Sequence, residues 1–162
     1  FKGKTVLEYF LTSPCKYGQK DLQEVMKSLL MDGANLQQRS TLRGRTALEL
    51  AIKQCSNYRS YCYNQEEISI IVTMLLENGA DANETISSYP GDKEVSPIAF
   101  AIEEDQVGAV RALLLNAVDP NQETNDGSPL LLKAVKKGNI EIVDALLSHK
   151  AQADATDKKG EI

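Results

Sequence analysis

Histidine and cysteine, which supply many protein metal sites, are scarce in this chain of 162 residues, with one histidine and three cysteines. Cys55 and Cys62 are separated by six residues, wider than the spacing of about two to four in a structural zinc knuckle, and no second pair exists. The acidic run 103–105 has neither the spaced partners nor the glycine of a calcium loop. We therefore expect no metal and no other cofactor.

Long apolar runs and phosphate-binding glycine loops are also lacking. The longest uncharged apolar run, around Ser69 to Leu76, is far too short to span a bilayer. No charged-then-apolar leader is present, so we expect neither membrane insertion nor a signal peptide. Gly3 and Gly44 each open a turn singly, which excludes a glycine-rich phosphate loop. The net charge of −5 makes nucleic acid an unlikely partner.

What the chain does contain is one apolar motif, which we call the apolar phrase and which occurs four times with the same internal spacing. In the clearest copy, Ile71-Val72 stands four residues before Leu75-Leu76, and Gly79 follows three residues later. This spacing predicts the end of an amphipathic helix, followed by a glycine in the left-handed position that terminates it. The other copies are Val25-Met26…Leu29-Leu30…Gly33, Ala109-Val110…Leu113-Leu114…Ala117 and Ile142-Val143…Leu146-Leu147…Lys150.

A second phrase precedes each copy and has the character of a helix start. It consists of a hydroxyl residue, then a small residue, valine or proline, then an apolar residue: Thr5-Val6-Leu7, Thr46-Ala47-Leu48, Ser96-Pro97-Ile98 and Ser128-Pro129-Leu130. The hydroxyl accepts from an early backbone N–H, and proline suits the first helical position. Each unit is therefore a short helix, a turn, a longer helix and an extended loop. Neither helix can bury its apolar face alone, so the units must stack.

The order of these motifs closely resembles the ankyrin repeat over essentially the whole chain. The resemblance implies an all-α ankyrin-repeat solenoid of stacked helix-turn-helix units with extended β-hairpin-like loops. We expect a single domain over residues 1–162, with repeats at 3–37, 44–83, 94–121 and 126–154. Residues 157–162 approach a fifth helix start, so we expect the chain to be a segment of a longer protein, and a monomeric one.

Several departures from the family pattern are informative. Extra residues fall between the two helices of the first two units, roughly at 12–20 and 55–66, and we expect these insertions to touch. The loop after Gly79 is stretched, with Pro90-Gly91 as its turn. Phe10 stands where a small residue normally packs, and Ala117 and Lys150 stand where glycine is usual. We expect such non-glycine helix ends to cost about 1 kcal/mol.

The second insertion is the first candidate binding site. Tyr58, Tyr61 and Tyr63 lie within six residues, beside Arg59, and tyrosine and arginine are enriched at binding hot spots. Two interpretations stay open. The rings either contact a partner or lie over the lengthened helix-turn-helix and extend the core.

The second candidate is the row of loop tips together with the exposed side of the short helices. Arg39, Arg43 and Arg45 cluster in the first loop and suit an acidic or phosphate-bearing partner, or else form a solvated loop. Tyr89, with Asp92 and Lys93, lies in the second. By matching position, the resemblance places the following residues on the concave side: Glu49, Lys53, Ala99, Glu103 and Leu131.

Nucleophilic catalysis is not expected in this segment. A base must reach its nucleophile, and a solenoid keeps His149, near the end, away from the cysteines, which lie in the first two units. We interpret His149 as a helix-end residue. The resemblance implies a module that binds another protein or peptide.

Two alternatives to this function stay open. The segment could be the non-catalytic targeting arm of a larger enzyme or secreted (for example bacterial) effector, with its catalytic domain outside the segment. It could also be a structural stretch of a long scaffold. The odd number of cysteines favours reduced thiols, and so an intracellular, most simply cytoplasmic, location, which for an effector would be the host cytoplasm.

Overall fold

The computed structural model describes residues 4–12, 19–39, 44–53, 63–87 and 94–156. Eight helices lie within these ranges and form four pairs. The first helices of the pairs are α1 (Val6–Thr12), α3 (Ala47–Lys53), α5 (Pro97–Glu103) and α7 (Leu130–Lys137). The second helices are α2 (Gln19–Met31), α4 (Gln65–Glu77), α6 (Val107–Leu115) and α8 (Ile140–Ser148).

The helices stack in two layers. Adjacent first helices pack on one another in the order α1, α3, α5, α7, and we call them the first-helix layer. The second-helix layer runs α2, α4, α6, α8 in the same way. Between the layers lies one continuous core, in which Leu22, Ile52, Leu75, Phe100 and Leu113 are all fully buried. The predicted all-α solenoid is confirmed.

Three of the four predicted hydroxyl caps start a first helix. The Oγ1 of Thr5 accepts from the backbone N of Glu8 at 3.0 Å, and Thr46 does the same for Glu49 at 3.3 Å. Ser96 caps α5 ahead of Pro97. The fourth prediction is wrong, because α7 begins at Leu130 without a side-chain cap. Instead, the carbonyl of Ser128 accepts from the backbone and hydroxyl of Thr124, within the preceding loop.

The second helices end in the left-handed conformation that the repeated phrase predicts. Gly33 and Gly79 have φ of +80° and +94°. Ala117 and Lys150 occupy the same position with φ of +62° and +68°, although a Cβ is disfavoured there. The phase of the four copies is therefore confirmed at both apolar and helix-end positions.

The extended loops contain the expected hairpin-like pairing. Strand β1 (Ile86–Ser87) pairs antiparallel with β2 (Glu94–Val95), with Ile86 opposite Val95. In the next loop an isolated antiparallel bridge joins Glu123 and Pro129. The turn predicted at Pro90-Gly91 lies outside the described residues.

The insertions between paired helices are narrower than predicted. Thr12 still belongs to α1, and α2 begins at Gln19, so 12–20 was too wide. At the second site, Asn64 and Glu67 form a reciprocal capping box that starts α4 at Gln65. This box explains why residues 65 and 66 are helical. The expected contact between the insertions themselves lies outside the described residues.

The seam between α4 and α6 is the closest helix contact in the second-helix layer. A Cβ on Gly108 would lie 1.9 Å from the carbonyl oxygen of Gln65, so only glycine permits this approach. The Gln65 side chain bridges the seam by accepting from the Gly108 backbone N at 2.8 Å and donating to Gln106 at 3.2 Å. Gln106 is itself buried. The second and third pairs are thus tightly joined.

Candidate functional site

Four charged side chains of α3, α5 and α7 reach the surface of the first-helix layer, which we call the first-helix face: Lys53, Glu103, Lys133 and Lys137. The Nζ of Lys53 lies 5.7 Å from the centroid of the Phe100 ring, within cation–π range. Lys133 pairs with the carboxylate of Glu103, and Lys137 donates to its backbone carbonyl. These contacts run from α3 to α5 to α7, so the four side chains are held in place across three units.

The other residues predicted to line the concave side are buried. Glu49, Ala99 and Leu131 are only 3%, 1% and 9% exposed. They stand at the same position of α3, α5 and α7. Adjacent first helices pack directly on each other, and this packing covers the three side chains. Their predicted position on an open surface was therefore wrong. The residues at the helix ends, Lys53 and Glu103, do reach the surface.

Arg45 pairs internally with Glu49 and does not face outward. Its Nε lies 3.0 Å from the Glu49 Oε1, and both side chains are more than nine-tenths buried. Burial raises the pKa of Glu49 to about 7, and the positive charges of Arg45, Lys53 and Arg39 only partly offset that rise. This buried pair does not fit the predicted role of Arg45 and Glu49 in touching a partner.

Arg39 belongs to a row of hydrogen bonds that links the extended loops, which we call the loop row. Its guanidinium donates to Glu84 in the next loop at 3.1 Å and to the Gly44 carbonyl at 3.1 Å. Because Arg39 remains exposed, it still contributes charge to the surface. The same row continues through the bonds Gln37–Gly79, Gln122–Asn83 and Asn121–Lys150.

Tyr63, for which the sequence left a partner contact and a place in the core both open, lies in the core. It is 4% exposed, its hydroxyl donates to the Phe10 carbonyl at 3.0 Å, and the two rings are 6.4 Å apart. The large side chain of Phe10 therefore packs against an aromatic ring from the next unit. The remaining predicted binding residues lie outside the described residues: Arg43, Tyr58, Arg59, Tyr61 and Tyr89.

The sequence interpretation missed Lys133, Lys137 and Glu84. The two lysines were detectable, because residues four apart share one face of a helix and α7 follows the same motif as α5. Glu84 carried no such signal, since its pairing with Arg39 depends on how neighbouring loops stack.

The described residues show little that suits small-molecule chemistry. Among them, no group of three or more metal-binding side chains is close enough to hold an ion. A cavity of about 20 Å³ beside Glu8 and Arg45 has room for one water molecule. His149 caps α8, with its Nδ1 2.8 Å from the Ala145 carbonyl. In the described ranges no helix has both the length and the apolar character to cross a membrane.

Comparison with protein families shows a match over most of the chain. The family model described as ankyrin repeats (3 copies) matches residues 60–159. The match covers more than half of the chain and includes α4 to α8. Residues 3–37, which contain α1 and α2, precede the matched part.

Proposed function

Because the chain belongs to the ankyrin-repeat family, we propose that it binds a partner protein or peptide through the first-helix face and the loop row. Ankyrin repeats are generally protein–protein interaction modules and are typically non-catalytic. The fold alone does not identify a partner. The choice of surface has to come from the side chains of this chain.

The observation that carries the proposal is the set of charged side chains held in place from α3 to α7. Lys53, Glu103, Lys133 and Lys137 are held by contacts between units. Side chains that are ordered before binding lose less entropy when a partner arrives. The four side chains therefore suit binding of a partner protein, because they are held in place and because they are charged.

The charge of this surface favours an acidic partner. The first-helix layer carries four basic and three acidic residues, but two of the acidic ones, Glu8 and Glu49, are buried. Lys136 adds a further exposed amine on α7, and Arg39 adds a guanidinium in the loop row. An acidic stretch of protein would meet complementary charge at Lys53 and at the lysines of α7.

The tyrosine-rich insertion is a second part of the proposed binding surface. Tyr58, Arg59 and Tyr61 support it through their composition, which is that of binding hot spots. Arg43 and Tyr89 lie by sequence in the extended loops and belong to the proposed loop surface. The proposed setting is intracellular, and the targeting-arm alternative places the same binding role within a larger protein. Flanking sequence would separate these two settings.

Affinity capture from cell lysate with matched variants tests the surface. The double variant Lys133→Ala/Lys137→Ala removes two amines from the first-helix face. The control Lys20→Ala/Arg111→Ala removes two positive charges from the second-helix layer. We expect specific proteins to be lost with the first variant and kept with the control. Retention of the same proteins by both would refute the proposed surface.

The insertion is tested separately with Tyr58→Ser/Tyr61→Ser. Loss of the captured protein at unchanged thermal stability would support the insertion as a binding element. Unchanged capture would assign the two rings to a covering role, and the proposal would then rest on the first-helix face alone.

A further inference from the structure

An open groove of about 530 Å³ separates α2 from α4 on the second-helix layer, opposite the first-helix face. Four residues of α4 line its floor: Ser69, Ile70, Thr73 and Met74. Ile70 and Met74, both half-buried, supply the apolar surface. Gln23, Glu24 and Lys27 of α2 form the other wall. The groove is separate from every residue used in the proposed function.

The groove follows from residue size at one register of the repeat. Ile70 occupies in α4 the position that Gly108 occupies in α6, and Met74 corresponds to Ala112. The small pair lets α6 approach α4 until backbone meets backbone. The large pair leaves no such approach for α2, so Ile70 and Met74 line open space. The groove is thus a consequence of packing rules and not of a loop conformation.

The chemistry of the floor suits an apolar partner side chain. Methionine has a flexible, polarisable side chain that adapts to differently shaped ligands. Ile70 supplies a branched apolar surface beside it. A small number of apolar side chains entering the groove would cover both residues.

The acidic residues around the groove favour a positively charged partner. On the α2 wall the charges of Glu24 and Lys27 offset each other. The sign is therefore set by α4, which carries Glu66, Glu67 and Glu77 and no lysine or arginine. The whole second-helix layer has seven acidic and three basic residues, a net charge of −4. Such a field attracts cationic segments. It opposes both an anionic membrane surface and the same face of a second copy.

We propose that the α2/α4 groove binds a short amphipathic segment of a partner protein, with apolar side chains on one face and lysine or arginine on the other. The apolar side chains lie on Ile70 and Met74, and the cations lie towards Glu24 and the acidic residues of α4. The chain then has two oppositely charged binding faces, one basic and one acidic.

Model peptides provide the direct test. The probe is a fluorescein-labelled helix of leucine and lysine with leucine at i, i+3, i+4 and i+7, read by fluorescence anisotropy. The matched peptides replace lysine by glutamate, or leucine by serine. We expect the leucine–lysine peptide to bind at least about tenfold more tightly than either. Equal binding of the three, or none, would overturn the proposal.

Variants of the protein locate the site. Ile70→Ser/Met74→Ser removes the apolar surface of the floor without charge and should weaken binding at least about tenfold. Glu24→Lys should weaken it about three- to tenfold, whereas the control Asp144→Lys on α8 makes the same charge change elsewhere and should stay within about twofold. An equal loss in both charge variants would mean attraction by net charge alone, which contradicts a groove site.

A measurement on the unaltered protein guards against misfolded variants. Amide chemical shifts should change on adding the leucine–lysine peptide at residues 23–27 and 69–74, and much less on α6 and α8. Shift changes centred on other helices would overturn the assignment. So would sedimentation showing a dimer that the Ile70→Ser/Met74→Ser pair abolishes, because the groove would then belong to a second copy.

Discussion

Helix α4 has two neighbours in the second-helix layer, and its two flanks differ sharply. On the α6 side, Gly108 allows backbone contact, and Gln65 bridges the seam by two hydrogen bonds. On the α2 side, Ile70 and Met74 face an open groove. The same repeat geometry thus gives a closed seam or an open groove according to residue size at one register.

Within the described residues, the boundary between the first two units has an open groove in the second-helix layer, whereas the boundary between units two and three is closed by the Gly108 contact and the Gln65 hydrogen bonds. In a stacked array, stability depends on the interfaces between neighbours. We infer that the first boundary is the weaker of the two.

The largest predicted loss of stability comes from adding a side-chain atom at the close contact between α4 and α6. Gly108→Ala places a Cβ 1.9 Å from the Gln65 carbonyl oxygen, so α4 and α6 must move apart. We expect a loss of about 3 kcal/mol or more in the free energy of unfolding, measured by urea denaturation. Ala109→Gly, a neighbouring change without added volume, serves as the control for altered helix propensity. A loss for Gly108→Ala below about 1 kcal/mol would mean that the seam is not tight.

The next effect concerns the buried carboxyl of Glu49, in the second unit. The folded-state pKa of Glu49 is about 7, against 4.5 as its ordinary value. Folding therefore favours the protonated form, and this contribution to stability is full below pH 4.5 and is lost as pH rises through about 7.

Replacing the carboxyl removes this titration. Relative to the wild type, Glu49→Gln should gain about 1–3 kcal/mol in the free energy of unfolding between pH 5 and pH 8, by denaturation at each pH. Asp144→Asn, an exposed carboxyl on α8, is the control. A difference between Glu49→Gln and wild type that does not vary with pH would show that Arg45 keeps Glu49 ionised throughout.

A smaller loss of stability should distinguish the hydrogen-bonded flank of α4, next to α6, from its open flank, next to α2. Gln65→Ala removes both bonds across the α4/α6 seam and leaves Gln106 buried with one partner fewer. We expect a loss of about 1–2 kcal/mol. Gln23→Ala, on the exposed wall of the groove, should change the free energy of unfolding by less than about 0.5 kcal/mol. Equal losses at the two positions would remove the distinction between the flanks.

The smallest effect tests the last helix end, far from both flanks. Lys150 has φ of +68°, which glycine adopts without strain. Lys150→Gly should raise the free energy of unfolding by up to about 1 kcal/mol, because relief of strain exceeds the added freedom of the unfolded chain. Gly79→Ala, at φ of +94°, should lower it. A thermal unfolding experiment in which both changes destabilise would contradict this account of the helix ends.

The helix phase could be predicted from the sequence because one apolar period determines which residues are buried. Leu75 is fully buried and Gly79 is left-handed, as the repeated phrase indicates. Lys53 and Glu103 reach the surface, and their contact with a partner stays a prediction. Each of these structural properties depends on spacing within a unit, which the sequence shows directly.

The properties that could not be predicted depend on contacts between units. Glu49, Ala99 and Leu131 were predicted to lie on an open face, but adjacent first helices cover them. For Tyr63 the sequence left two interpretations open, and the contact with Phe10 of the preceding unit decides for a place in the core. The groove was not predicted for the same reason. The size difference between Ile70 and Gly108 affects packing only through the neighbouring helix, so it has a structural consequence only when the units are stacked.

Amide hydrogen exchange across the second-helix layer tests the central contrast most directly. Exchange reports the free energy of local opening for each helix. We predict that the amides of α4 and α6 open together at one high free energy, while those of α2 open at a lower one. Opening of α2 and α6 at the same free energy would contradict the account.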